Sequence, residues 1–146
     1  YYSNLQAEEG RKWRLAGNGR VGAVGLDAEF YESALLYASI PSLYFGLDSV
    51  KYNELTVVPD LPSSLGYMAM QNLRFYGAEY DLYVSRNKVV ISGVDGGDGT
   101  QKVNVTLNAQ EGKKVYVNGK ERTDFVTNDG KITIQVNLEH CVVEIK

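Results

Sequence analysis

The chain has very few of the residues from which most catalytic and metal centres are built. Of its 146 residues, one is cysteine and one is histidine. With Cys141 as the only thiol, no disulfide can form within the chain, and a core must hold the fold. The lack of a bridge does not exclude a periplasmic or secreted setting. His140 alone cannot supply a cluster of imidazole ligands, and any Ser-His-Asp arrangement would have to be assembled around it. Lys and Arg number 15 against 18 Asp and Glu, a formal charge of −3. Nucleic-acid readers carry a basic face, and this chain has no such footprint. Nor does it have the Lys/Arg cluster that an anionic membrane surface attracts. Its longest apolar stretch, 34–47, is broken by Pro41 and falls short of the ~20 residues of a membrane-spanning helix. No signal peptide is evident. The chain opens on Tyr1-Tyr2 rather than Met, as a piece of a larger polypeptide would, so the missing signal does not speak to its targeting.

What is present is ordinary for a globular domain: 44% hydrophobic and 23% charged residues, with length enough for one core. The pattern changes along the chain. Gly17, Gly19, Gly22 and Gly25 interrupt the first 26 residues too often for a stable helix. Asp27 can cap a helix running to Ala38, with Glu29 favoured in its first turn by the macrodipole. Phe30, Ala34, Tyr37 and Ala38 keep helical spacing, while Tyr31, Leu35 and Leu36 make its other faces apolar. Pro41 biases Ile40 away from helix and predicts an end there.

From Glu54 the period becomes two. Leu55 and Val57 share a face. Met68 and Met70 share another, but Leu73 and Phe75 are out of phase with them, which predicts a β-bulge near Asn72. Tyr80, Leu82 and Val84 alternate, Val89 to Ile91 form a short apolar strand, and Val103, Val105 and Leu107 face one way. Asn118-Gly119 after Val115 and Val117 is a strong hairpin signal. Asn128-Asp129-Gly130 leads into Ile132, Ile134, Val136 and Leu138. Cys141, Val143 and Ile145 form the last strand, which predicts a buried, inert thiol and places His140 in that strand. Eight or nine strands at this spacing predict a mainly β fold: an antiparallel, jelly-roll-like β-sandwich over 47–146, preceded by a partly helical or irregular segment over 1–46.

Motifs that could carry chemistry are few, and each has a plainer explanation. Asp95-Gly96-Gly97-Asp98-Gly99 offers two carboxylates among flexible glycines. It lacks the ligand spacing of a calcium loop, so a solvent-exposed turn is favoured. Gly17-Asn18-Gly19-Arg20-Val21-Gly22 spells GxGxxG, but no buried strand precedes it and no βαβ alternation surrounds it. Glu29, Glu32, Asp48 and Glu79 are carboxylates of the kind a glycosidase pairs, yet the sequence singles out no pair. Asn104-Val105-Thr106 fits an N-glycosylation sequon. The 11 tyrosines are concentrated early, at Tyr31, Tyr37, Tyr44, Tyr52, Tyr67 and Tyr76. They suit an internal or interdomain interface better than a sugar platform. Trp13, between Arg11 and Arg14, is the better candidate for stacking on a sugar ring. These residues imply no catalytic site, no metal site and no cofactor.

The run from Ser39 to Val84 resembles the C-terminal junction of (α/α)6-barrel glycoside hydrolases and disaccharide phosphorylases. Gly46-Leu47, then Leu55-Thr56-Val57-Val58-Pro59-Asp60-Leu61-Pro62, then Gly77 and Leu82-Tyr83-Val84 carry the resemblance, in order, over about a third of the chain. In that family the catalytic acids belong to the barrel. The resemblance therefore implies a non-catalytic accessory β-sandwich that packs on a preceding catalytic barrel of the same polypeptide. It transfers no catalytic residue. Two other roles fit the same residues: a carbohydrate-binding module using exposed aromatics, and a structural or adhesion module unrelated to sugars. An apolar helix separated from its barrel could also drive the isolated domain to dimerise.

Overall fold

The structure, a computed structural model, describes residues 39–146. Residues Pro41–Lys146 form one compact unit. The helix expected over Asp27–Ala38 lies outside the described residues. A helical turn covers 39–44, so Pro41 sits within helical backbone rather than after it. Proline's fixed φ lies in the helical range, so its ring is compatible with this backbone. The turn closes instead at Gly46, with φ of +58°, where the Leu47 N–H donates back to the Pro41 carbonyl at 3.0 Å.

Eleven strands follow. Strands β1 (Asp48–Lys51), β2 (Glu54–Val57), β6 (Lys102–Asn108), β9 (Val126–Asn128) and β10 (Lys131–Asn137) make one sheet, in the order β1-β2-β6-β10-β9. Strands β3 (Tyr67–Phe75), β4 (Ala78–Ser85), β5 (Lys88–Gly96), β7 (Val115–Val117), β8 (Lys120–Arg122) and β11 (Cys141–Ile145) make the other, in the order β3-β4-β5-β11-β7-β8. All pairings are antiparallel except β2 with β6. This is a mainly β, two-sheet sandwich. It has more strands than the hydrophobic pattern suggests, because the short strands β1, β8 and β9 carry little apolar alternation to betray them.

The core is a set of cross-strand rows. In the first sheet Leu55, Val103 and Val136 align, as do Val57, Val105 and Ile134. In the second, Leu82, Ile91 and Cys141 align, and Val84, Val89, Val143 and Val117 continue the next row. All of these except Val117 are buried. Such neighbouring side chains on one face are the unit of sheet stabilisation. The outer face of the first sheet is wet. There Thr106 and Thr133 share a hydroxyl hydrogen bond at 2.8 Å, and Gln135 donates to Asn104 at 3.0 Å.

The Ser39–Pro62 region forms the joint between the helical turn and the sandwich. Phe45 is fully buried. The Val58 N–H donates to the Phe45 carbonyl at 3.0 Å, and the Asp60 N–H to the Tyr44 carbonyl at 3.1 Å. Gly46 is required here twice over. Its φ is left-handed, and a Cβ would lie 2.2 Å from the Val58 carbonyl oxygen. The Pro59–Pro62 corner buries Leu61 and carries the chain from one sheet to the other. Among the described residues, no helix is long and apolar enough to cross a membrane.

Candidate functional site

Among the described residues, the titratable candidates do not converge. Asp48 lies on edge strand β1 of one sheet and Glu79 on β4 of the other. Glu79 is paired with Arg74 at 3.1 Å, which offsets the repulsion from Asp95 directly across the strand pair. Trp13, Glu29, Glu32, the glycines of 17–22, Tyr31 and Tyr37 lie outside the described residues. His140 is exposed in the bend between β10 and β11 rather than within a strand. The strand pattern that suggested otherwise starts one residue later, at Cys141. Among the described residues, no three His, Cys, Asp or Glu side chains are grouped to hold a metal. Cys141 is 2% exposed, and its thiol is pushed up to about 11 by burial, with the charge of Glu139 adding to the effect. It therefore stays protonated and unreactive at neutral pH. Asn104 of the sequon sits on central strand β6, bonded to Gln135 through its Oδ1.

Asp95 and Gly96 extend β5, and Asp98 closes a local turn. The Asp98 Oδ1 accepts from the Thr100 hydroxyl at 2.7 Å and from its N–H at 2.9 Å. These bonds lower the Asp98 carboxyl below its ordinary range. The segment is an exposed turn, as the glycines suggest, with its acid engaged in an Asx turn.

That loop is also one of three turns brought together at one end of the sandwich. The β1–β2 turn presents Tyr52 and Asn53, the β3–β4 turn presents Tyr76 and Gly77, and the β5–β6 loop lies between them. Its Gly97 N–H donates to the Gly77 carbonyl at 3.0 Å. Gln101, only 4% exposed, donates its side-chain amide to the Tyr76 carbonyl at 3.0 Å. On the other side, the Asn53 amide donates to the Thr100 carbonyl at 3.3 Å, and the Lys102 N–H donates to the Asn53 carbonyl at 2.8 Å. Glycine is needed at the contact, because a Cβ on Gly96 would lie 2.6 Å from the Gly77 oxygen.

The turns hold a tyrosine pair. The Tyr52 and Tyr76 ring centroids are 4.5 Å apart with planes at 57°, and Phe75 meets Tyr76 edge-on at 4.8 Å. Tyr52 is 76% exposed and Tyr76 47%. Tyr76 has φ of +45° and Gly77 φ of +81°, the two left-handed positions of a type I′ hairpin turn. Asparagine is the usual first residue of such a turn. A bulky side chain there costs about 1–2 kcal/mol. Beside the pair lies a shallow cleft of about 340 Å³ lined by Arg74, Gly77, Ala78, Glu79, Asp95 and Gly96. Tyr76 is the residue that sequence reasoning undervalued. The signal was available: a tyrosine immediately before a hairpin glycine.

No family model matches the chain, and no curated protein matches it.

Proposed function

We propose that the chain is a non-catalytic accessory β-sandwich of a larger carbohydrate-active enzyme, a glycoside hydrolase or phosphorylase, and that it packs on the catalytic part. The observation that carries this reading is the joint at 39–62. Gly46 and Val58–Asp60, which belong to the run that resembles the barrel-to-sandwich junction, take part in fastening the helical turn to the sheets. Phe45 plugs the core, two backbone hydrogen bonds tie 44–45 to 58–60, and Gly46 lies against Val58. A module on a loose tether needs no such fastening. A module that packs on its neighbour does.

The test compares the 146-residue chain with the full polypeptide that contains it, on a panel of disaccharides with and without inorganic phosphate. The expected outcome is turnover by the full polypeptide only, lost or strongly reduced when residues 41–146 are deleted. Turnover by the 146-residue chain alone, or an unchanged rate after the deletion, contradicts the proposal.

A further inference from the structure

We propose that the Tyr52–Tyr76 end of the sandwich is a binding site for a neutral saccharide, whose pyranose rings lie against the two tyrosines. The inference concerns the sandwich itself and holds whether or not the parent protein is an enzyme. Three observations carry it.

The first is preorganisation. Tyr76 sits in left-handed backbone that favours asparagine or glycine, and the buried Gln101 and the Gly97 N–H fix its turn from behind. Strain retained at an exposed residue, with its support built around it, points to a role for the side chain it presents. The second is ring geometry. Tyr52 and Tyr76 meet at 57°, so they form an angled pair rather than a closed stack. The Tyr67–Tyr83 pair differs: exposed Tyr67 and half-buried Tyr83 stack at 22° and 5.3 Å, each covering one face of the other. The third is the chemistry of the rim. Asn53, beside Tyr52 in the chain, bonds to Thr100, which bonds to Asp98, so short amide, hydroxyl and carboxylate groups share this end of the sandwich. Asp98 turns one oxygen to Thr100.

An apolar ring face bordered by small donors and acceptors matches a sugar, which is apolar on its C–H face and polar at its edge. Asp95 and Asp98 disfavour an anionic ligand, and the nearby cations Lys51 and Arg74 are already paired with Glu54 and Glu79.

The experiment is NMR titration of the 146-residue chain with cellohexaose, maltohexaose, xylohexaose and mannohexaose, and with an oligogalacturonate as the anionic control. It is repeated for Tyr76→Asn, Tyr52→Ala and Tyr67→Ala. Tyr76→Asn keeps the turn, because asparagine suits the same backbone, so it removes the ring without unfolding the chain. The expected result is saturable binding of at least one neutral sugar at millimolar concentration, weakened at least about tenfold by Tyr76→Asn and by Tyr52→Ala. Tyr67→Ala should leave the affinity unchanged. Binding of no neutral sugar by the unaltered, folded chain overturns the proposal. So does affinity that survives both Tyr76→Asn and Tyr52→Ala, loss on Tyr67→Ala, or preference for the oligogalacturonate.

Discussion

Single residues decide the joint and the alkaline limit of this fold. Phe45 is fully buried between the helical turn and the sheets, so Phe45→Ala leaves a cavity and is expected to cost about 3–5 kcal/mol. Urea unfolding followed by circular dichroism measures it as a lowered midpoint with unchanged slope. Gly46→Ala should also destabilise, despite adding one methyl group. The new carbon meets the Val58 carbonyl, and the backbone cannot relax to negative φ without losing the bonds at Val58 and Asp60. Two buried acids set the response to high pH. Burial raises Cys141 from 9.0 to about 11 and Tyr80 from 10.0 to about 12. In each case the unfolded chain releases its proton first. Between the unfolded and folded values the native state binds more protons, so stability falls as pH rises. It is fully present below pH 9.0, begins to decline above that through Cys141, and declines further above 10.0 through Tyr80. Midpoints of urea unfolding at pH 8, 9.5 and 10.5 should fall in that order, and Cys141→Ala should flatten the first part of the fall.

Elements show where a sequence declares its structure and where it hides it. The bulge expected near Asn72 is there. The β3–β4 register shifts between Met70 and Leu73, Asn72 takes φ of +55°, and its N–H finds the Asp81 carboxylate at 3.0 Å. The phase break in the hydrophobic pattern exposed it, because a slip of one residue moves every side chain to the other face. The Asn118-Gly119 hairpin was equally plain. Asn118 supplies the left-handed backbone, and its side chain caps the Val142 N–H at 2.8 Å. The tyrosine site was harder to see, because Tyr52, Tyr76 and Gln101 are far apart in sequence and nothing in local pattern says that three turns meet. The strain at Tyr76 makes a testable statement. Tyr76→Asn should raise stability by about 1 kcal/mol in thermal or urea unfolding, while abolishing any function of the ring. A loss of stability would mean that the contacts of Tyr76 with Tyr52 and Phe75 outweigh its backbone cost. Asp81→Ala should act in the opposite sense, leaving the Asn72 N–H at the bulge without its partner at a cost of about 1 kcal/mol.

At the scale of the whole sandwich, composition and alternation were enough to give two wet-faced sheets, but not the order of strands within them. That order depends on pairings between distant segments. β2 lies parallel to β6 across the whole β3–β5 meander, and β11 inserts between β5 and β7 at the very end of the chain. Alternation specifies which face is buried and carries no information on which strand lies alongside. The same topology sets the folding kinetics. The β3–β4–β5 meander and the β7–β8 hairpin can form locally. The first sheet cannot close until β6 finds β2, and the second cannot close until the last strand has docked. Loop-closure entropy must be met before these contacts return any energy. Refolding of the chain should therefore be slow for its size, on the order of milliseconds to seconds. Cys141 and Val143, on the last strand, should contribute mainly after the barrier. Val143→Ala is then expected to speed unfolding and leave the refolding rate nearly unchanged. Leu82→Ala, in the local meander, should slow refolding. Stopped-flow chevrons of the two variants distinguish this order. If Val143→Ala slows refolding as much as Leu82→Ala, the terminal strand is already in place at the transition state and the sandwich closes from its ends.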